Sequence, residues 1–401
     1  MRVAIVHYWL VSMRGGEKVI EALCELFPEA DIFTNVYDPV MVSEAIRKHK
    51  ITTTFINSLP NARRWYKRYL PLMPLALEQI DLRDYDLIIS SESGPAKGIV
   101  PPASAVHVCY CHSPMRYIWN MSHDYLRRAD FLTRVFMPIL AHHMRTWDAV
   151  AAMRVDHFIA NSHTVAARIE KYYRRKSTVI YPPVDVTMFG IVSAAEVGDY
   201  YLMVGELVAY KRPELAVEAC NDLVRPLVVI GGGEMLSAIR TLAGPTVTVL
   251  GSQPFKVLRS HYARCRALIF PGEEDFGIVP VEAMACGRPV IAYGRGGATE
   301  TVTSGVSGLF FQEQTATAIK RAILEFEEMH FDASVIKRHA EKFDLQRFTS
   351  EIIAALELAL GYKLARGPGQ EWRRVGPKTT SASSGANAQL TAPDILAASI
   401  S

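Results

Sequence analysis

The sequence predicts an α/β protein made of two doubly wound parallel-sheet domains that face each other across a cleft. Three observations carry that prediction. The chain has 401 residues, beyond the roughly 250–300 at which single cores stop growing. Short apolar runs alternate with longer amphipathic patterns along most of it, the signature of βαβ units. The alternation is broken once, at Tyr181-Pro182-Pro183-Val184-Asp185, where a stiff Pro-Pro step suits a hinge.

The elements follow in order. RVAIVHYWL (2–10) reads as a strand, Arg14-Gly15-Gly16 as a turn and residues 17–26 as a helix, the opening of a βαβ unit. Residues 86–91, 105–111, 157–162 and 177–184 are further strands, with helical patterns at 123–154 and 163–174 between them. After the Pro-Pro step, strands are expected at 200–205, 226–232, 246–251, 267–272 and 288–293. Helices fall at 213–220, 233–243, 254–264 and 277–286, with amphipathic helices at 315–329 and 345–361. From about Arg366 the composition turns to Gly, Ser, Thr and Ala with few large apolar residues, so a disordered tail is expected over 366–401.

Composition narrows the function. A hydrophobic fraction of 49% and a charged fraction of 21% are those of an ordinary globular protein. The net charge of +3 is uneven: residues 1–180 carry 23 Lys/Arg against 17 Asp/Glu, and the remainder is acidic. That bias suggests that the first half meets something anionic. The six cysteines show no CxxC pair and no zinc spacing, so buried reduced thiols are expected. The N-terminal apolar run is too short for a signal segment, and no stretch approaches a membrane span. A cytoplasmic protein is the expectation, attached if at all to the inner face of the plasma membrane.

In open α/β sheets, ligands bind beyond the carboxyl ends of the strands, where glycine turns lead into helices. Such turns occur at Gly15-Gly16 and Gly231-Gly232-Gly233. Neither a GxGxxG fingerprint nor a Walker A loop is present, which argues against a dehydrogenase or a P-loop NTPase. The stretch PGEEDFGIVPVEAMACGRPVIAY (271–293) is more informative. Gly277-Ile278-Val279-Pro280 reads as the first turn of a helix, with Pro280 tolerated because its missing N–H has no intrahelical partner. The free amides there suit a phosphate. Glu274 precedes the turn and Glu282 lies one turn in. A nucleoside diphosphate sugar would set its phosphates on the amides and hydroxyls against both carboxylates. Capping alone explains one of the two.

This block, with Gly296-Gly297 and Glu300 after it, resembles the signature of glycosyltransferase family 4: retaining, metal-independent enzymes of the GT-B fold, with two Rossmann-like domains. The early Gly-Gly turn, HSP at 112–114, ANS at 160–162, the YPPVD hinge and VGEL-x3-KR extend the likeness over most of residues 1–360. YCHSPMRYIW and LVAYKRPELAVEA are similar to the branch containing bacterial GDP-mannose-dependent mannosyltransferases of O-antigen and exopolysaccharide synthesis. The resemblance implies an acceptor-side domain over 1–182, a nucleotide-sugar domain over 183–344 and a final helix, 345–362, returning to the first domain.

It also implies residue roles. Glu282 would take the ribose hydroxyls and Glu274 the transferred sugar. Phe276, Gly277 and the amides of Ile278 and Val279 would hold donor hydroxyls or phosphate, and Lys211 would neutralise the departing β-phosphate. Gly15 and Gly16 would admit the diphosphate to the backbone, and His112 would bond the donor sugar or support the acceptor side. No metal or other cofactor is expected. One departure is evident: Glu206 stands where the family carries an arginine that clamps the diphosphate with the lysine. A carboxylate there is repulsive unless it is paired or points away, and Arg212, beside Lys211, is the candidate for the missing charge.

Residues 61–77, NARRWYKRYLPLMPLAL, hold four basic and three aromatic residues and no acid. Residues 127–147 repeat the theme with Arg127, Arg128, Phe131, Arg134, Phe136, Met137, Arg145 and Trp147. Both suit either an anionic membrane interface or a buried helix with a snorkelling rim. No nucleic-acid recognition motif accompanies them, so nucleic acid is not an expected partner. The expected function is transfer of a hexose, mannose from GDP-mannose, to a lipid-linked saccharide or polysaccharide acceptor. The alternatives are a nucleotide-sugar epimerase of the same fold and a non-catalytic sugar-nucleotide-binding protein.

Overall fold

The computed structural model describes residues 1–120, 131–367 and 372–375, without the side chains of 131–133 and 135. Seven strands form a first sheet: β1 (Val3–His7), β2 (Asp31–Thr34), β3 (Ile51–Thr53), β4 (Leu87–Glu92), β5 (Val106–Cys111), β6 (His157–Ala160) and β7 (Ser177–Val179). Six form a second: β8 (Tyr201–Val204), β9 (Leu227–Ile230), β10 (Val247–Gly251), β11 (Leu268–Phe270), β12 (Val290–Tyr293) and β13 (Gly308–Phe311). Their spatial orders are β3-β2-β1-β4-β5-β6-β7 and β10-β9-β8-β11-β12-β13. Every pairing in both sheets is parallel. The chain is therefore the pair of doubly wound α/β domains that its pattern predicts.

Both sheets run outward from their first strand and then reverse, between β1 and β4 in one and between β8 and β11 in the other. Loops leaving the strand ends diverge at such a reversal and leave a crevice. Strands covered on both faces read as continuous apolar runs, and all five residues of β1 and all six of β4 are buried. The sequence pattern misses β2, β3 and β13. These are short, and β2 and β3 mix Asp and Thr into three or four residues.

The helix Leu345–Leu360 follows the second sheet in sequence but packs on the first. Phe348, Ile352 and Leu356 recur at a four-residue spacing, which aligns them on one face, and they join the core of Ile5, Leu23 and Val108. Beyond it, β14 (Lys363–Arg366) pairs antiparallel with β15 (Trp372–Val375). Its second strand and Arg366 fall inside the range expected to be a disordered tail. Trp372 ties it down: its indole N–H donates to Leu26 O at 2.7 Å, and its ring lies 5.9 Å from that of Phe27. The rest of the expected tail, 368–371 and 376–401, lies outside the described residues, as do Arg127 and Arg128 of the second basic segment.

A buried charge cluster fixes the helix Phe131–Ala152 against the first sheet. Lys97 has no exposure and lies 3.1 Å from Glu92 Oε1 and within hydrogen-bond reach of Asp148. Asp148 also accepts from Trp119 Nε1 at 2.7 Å and Tyr173 Oη at 2.8 Å. Burial pushes the Glu92 carboxyl up, against the pull of Lys97. One ammonium and several donors among two carboxylates meet the condition for holding buried charge. Gly98 belongs to the same junction, since a Cβ there would lie 2.1 Å from the Trp147 ring. All six cysteines are buried and unpaired. Among the described residues no helix is long and apolar enough to cross a membrane.

Candidate active site

The carboxyl ends of the two sheets face each other across a cavity of about 960 Å³. Its walls come from the loops after β1, β4 and β5 on one side and after β8, β9 and β11 on the other. These are the loops that the two strand-order reversals leave open.

On the first wall, Gly15 and Gly16 open the helix Gly15–Leu26, and the Arg14 amide donates to Glu17 Oε2 at 3.0 Å, closing its first turn. A Cβ on Gly15 would lie 2.8 Å from Ile278 Cδ1 of the other domain, and one on Gly16 2.9 Å from Tyr8 Oη. The turn packs closely against both side-chain tips. His112 follows β5; its amide donates to Glu92 O at 2.7 Å, and its Nε2 lies 2.8 Å from Ser91 Oγ. Burial pushes its imidazole down to about 4, so the ring is neutral at physiological pH.

On the facing wall, Lys211 ends a single 3₁₀ turn, Ala209–Lys211, and its Nζ lies 2.9 Å from Glu274 Oε1. Burial pulls the Lys211 ammonium down, but Glu274, with Tyr210 and Glu206, outweighs it and holds the group above its ordinary range. Gly272 admits this contact, because a Cβ there would lie 2.9 Å from Lys211 Cα. The helix Ile278–Ala285 begins after Gly277, whose φ of 88° requires glycine. No side chain caps its first amides, so its N-terminus presents donors and the positive end of the dipole to the cavity. Phe276 belongs to the same wall, with its ring 5.5 Å from that of Tyr181 and 5.6 Å from that of Phe343. The ring anchors the loop by packing.

Glu282 Oε2 accepts from Tyr262 Oη at 2.7 Å. Burial pushes its carboxyl up to about 7, while the Tyr262 bond and Lys18 oppose the rise. The pattern of residues thus comes together: Gly15, Gly16, His112, Lys211, Glu274 and Glu282 all line the cavity, with the start of the helix at Ile278 and Val279.

Arg212 is set apart from them. It is not among the cavity-lining residues, and its Nε donates to Glu214 Oε1 at 2.6 Å. Glu206 does line the cavity, and its Oε2 accepts from Arg14 Nη1 of the opposite domain at 2.9 Å. Two further carboxylates cross between the domains. Asp275 pairs with Arg168 and lies 3.6 Å from Arg116. Glu300 accepts from the His163 and Thr164 amides at 2.8 and 2.9 Å and from Thr164 Oγ1 at 3.0 Å, so it caps the helix His163–Tyr173. Sequence reasoning missed Tyr262, Arg14, Arg116 and Arg168. Arg14 and Arg116 had nearby signals, the glycine pair beside one and the YCHSPMRYIW segment around the other.

Among the described residues no group of three or more His, Cys, Asp or Glu is placed to hold a metal ion. A lysine beside a helix N-terminus suits a diphosphate, and two carboxylates flanking that terminus suit hydroxyls.

Comparison with known proteins agrees with this geometry. A family model described as Glycosyltransferase Family 4 matches residues 13–187, and one described as Glycosyl transferases group 1 matches residues 186–343. An uncharacterised glycosyltransferase of Methanocaldococcus jannaschii is 29% identical over 182 residues, covering 44% of this chain and 50% of the relative. A D-inositol 3-phosphate glycosyltransferase of Segniliparus rotundus is 27% identical over 236 residues, covering 51% and 53%. The chain spans about half the length of these curated relatives. Among solved structures, Anabaena HepE in complex with UDP and glucose superposes with a TM-score of 0.67 at 17% identity, covering 89% of this chain and 99% of that one. Sucrose-phosphate synthase of Thermosynechococcus elongatus gives 0.69 at 17% identity, with coverage of 89% and 99%. Those two likenesses concern the fold. With two adjoining family models running from residue 13 to residue 343 and two facing doubly wound domains, the chain belongs with the glycosyltransferases of GT-B type.

Proposed function

We propose that this protein is a retaining hexosyltransferase that uses a nucleoside diphosphate sugar. One observation carries the reading: a single interdomain cavity unites the Lys211–Glu274 pair, the open N-terminus at Ile278 and the Glu282–Tyr262 pair. Lys211 and the helix amides receive the diphosphate, Glu282 the ribose hydroxyls and Glu274 the sugar. As the bond from the anomeric carbon to the β-phosphate oxygen breaks, the acceptor oxygen attacks the same face. Its proton passes to the departing phosphate oxygen. The enzyme contributes charge stabilisation, which strengthens as negative charge develops on the leaving group. In this reading the charge stabilisation comes from the protein's own groups, without a metal. Closure of the domains about Pro182-Pro183 excludes water from the reacting carbon.

GDP-mannose is the first donor in this reading, supported by the similarity of YCHSPMRYIW to mannosyltransferases. A UDP-hexose is the second, supported by the UDP and glucose named with the Anabaena neighbour. The acceptor is a lipid-linked saccharide or a growing polysaccharide. Arg63, Arg64, Lys67 and Arg68 are exposed beside the exposed Trp65, Leu72 and Leu75. Trp147 of the neighbouring long helix bonds Glu78 at the end of this segment, and that helix exposes Phe136 and Ile139. Basic and apolar groups together suit an anionic bilayer.

Three outcomes test the proposal. In a panel of nucleotide sugars, one donor stabilises the protein thermally and supports acceptor-dependent release of nucleoside diphosphate. Lys211→Ala then lowers kcat by roughly 100-fold or more, as loss of a charged transition-state contact does; near-normal transfer contradicts its role. Donor isomerisation without acceptor, or binding without release, favours the epimerase or the binding protein instead.

The second outcome concerns pH. Ribose hydroxyls donate to a carboxylate, so bound donor favours ionised Glu282. Because burial raises that carboxyl to about 7, donor affinity rises with pH through about 7 and levels off above. The Glu282→Gln variant binds more weakly and loses that part of the profile; an unchanged profile contradicts the assignment. The third concerns the surface. Replacing Arg63, Arg64, Lys67 and Arg68 by serine weakens co-sedimentation with vesicles rich in anionic lipid by about 100-fold or more, at about 1 kcal/mol per charge. Undiminished co-sedimentation removes the membrane surface from the account.

A further inference from the structure

A diphosphate carries more charge than one lysine balances, and the position that supplies a second cation in the resembling family is here Glu206. The obvious substitute, Arg212, is bonded to Glu214 and lies off the cavity wall. Among the described residues the cations that line the cavity are Arg14, Lys18, Arg116 and Lys211. Lys18 pairs with Glu21 on its own helix, and Arg116 lies against Asp275 and over the Tyr210 ring. Arg14 alone is bonded to Glu206 itself, at 2.9 Å.

Three features place Arg14 for the phosphate. Its backbone is fixed by the bond from its amide to Glu17. The next residue, Gly15, lies so close to Ile278 that a Cβ would meet that side chain at 2.8 Å, so the turn abuts the helix start assigned to the phosphates. Its guanidinium reaches across the cleft to the residue after Gly205, and a Cβ on Gly205 would lie 3.6 Å from Lys211 Nζ. The two cations thus flank the same segment of main chain.

We infer that Arg14, reaching from the opposite domain, is the second cation on the β-phosphate, and that Glu206 is the positioning residue that holds it between turnovers. This rests on the donor reading above. A guanidinium has enough donors to keep Glu206 on one edge while another bonds phosphate. Donor binding then requires both domains at once, because the two charges of the clamp belong to different domains. Arg14 is 53% and Glu206 36% exposed in this pair, and such pairs contribute little by themselves. The negative charge of Glu206 near the phosphate therefore outweighs its help in positioning.

Calorimetric titration of GDP, UDP and the matching monophosphates into wild type and four variants tests this. Arg14→Ala weakens the preferred diphosphate by about 10- to 100-fold, the size of a charged hydrogen bond, and the monophosphate by much less. Arg14→Lys recovers part of the loss, Arg212→Ala changes little, and Glu206→Gln tightens diphosphate binding by about 3- to 10-fold. Wild-type-like diphosphate binding by Arg14→Ala overturns the inference and leaves the donor reading intact. Equal losses for di- and monophosphate overturn it as well, since they indicate a general structural effect. Wild type that binds neither diphosphate overturns the donor reading and this inference together.

Discussion

Neighbouring carboxylates on one loop face opposite ways, and the closed arrangement depends on it. Glu274 turns to Lys211 of its own domain, while Asp275 turns to Arg168 and Arg116 of the other. The loop that carries Glu274 into the cavity is thus also the loop that joins the domains. It is backed by the second glycine pair: Gly297 N donates to Glu274 O at 2.8 Å, and a Cβ on Gly297 would fall 2.2 Å from Phe276 Cα. Any side chain there would collide with the main chain of the loop. The same packing that orients Glu274 therefore orients Asp275.

The uneven charge of the chain finds a use in this arrangement. Asp275, Glu206 and Glu300 of the acidic second half reach Arg168 and Arg116, Arg14, and the N-terminus of the helix His163–Tyr173 in the basic first half. Each contact is polar and partly exposed, the kind that holds two domains without welding them. The expectation that the first half meets something anionic is met first by the second half itself. Beside the Pro-Pro step the Tyr181 ring packs tilted against Phe276 and edge-on to Phe343, so that step and the loop carrying Glu274 share one aromatic anchor.

Much of the fold was legible because parallel strands covered on both faces write apolar runs of the right length. β1, β4, β5 and the strands from β8 to β12 stand within a few residues of their expected places. β2, β3 and β13 escaped because they are edge or near-edge strands of three or four residues, too short to display a period. In the site, residues close in sequence were readable together: Glu274, the Gly277 turn and Glu282 lie within one strand–loop–helix passage. Partners far apart in sequence were not. Tyr262 holds Glu282 from another helix, and Arg14 meets Glu206 across 192 positions. Arg212 misled for a local reason: at φ 53° it turns to Glu214 two positions on, so adjacency to Lys211 says nothing about direction.

A ligand held by both domains at once is the core of this account, and amide hydrogen exchange with and without the preferred nucleoside diphosphate tests it directly. Protection gained together at 14–17 in the first domain and at 205–211 and 277–282 in the second is the predicted result. Protection confined to the second domain, or to a region outside the cleft, would contradict it.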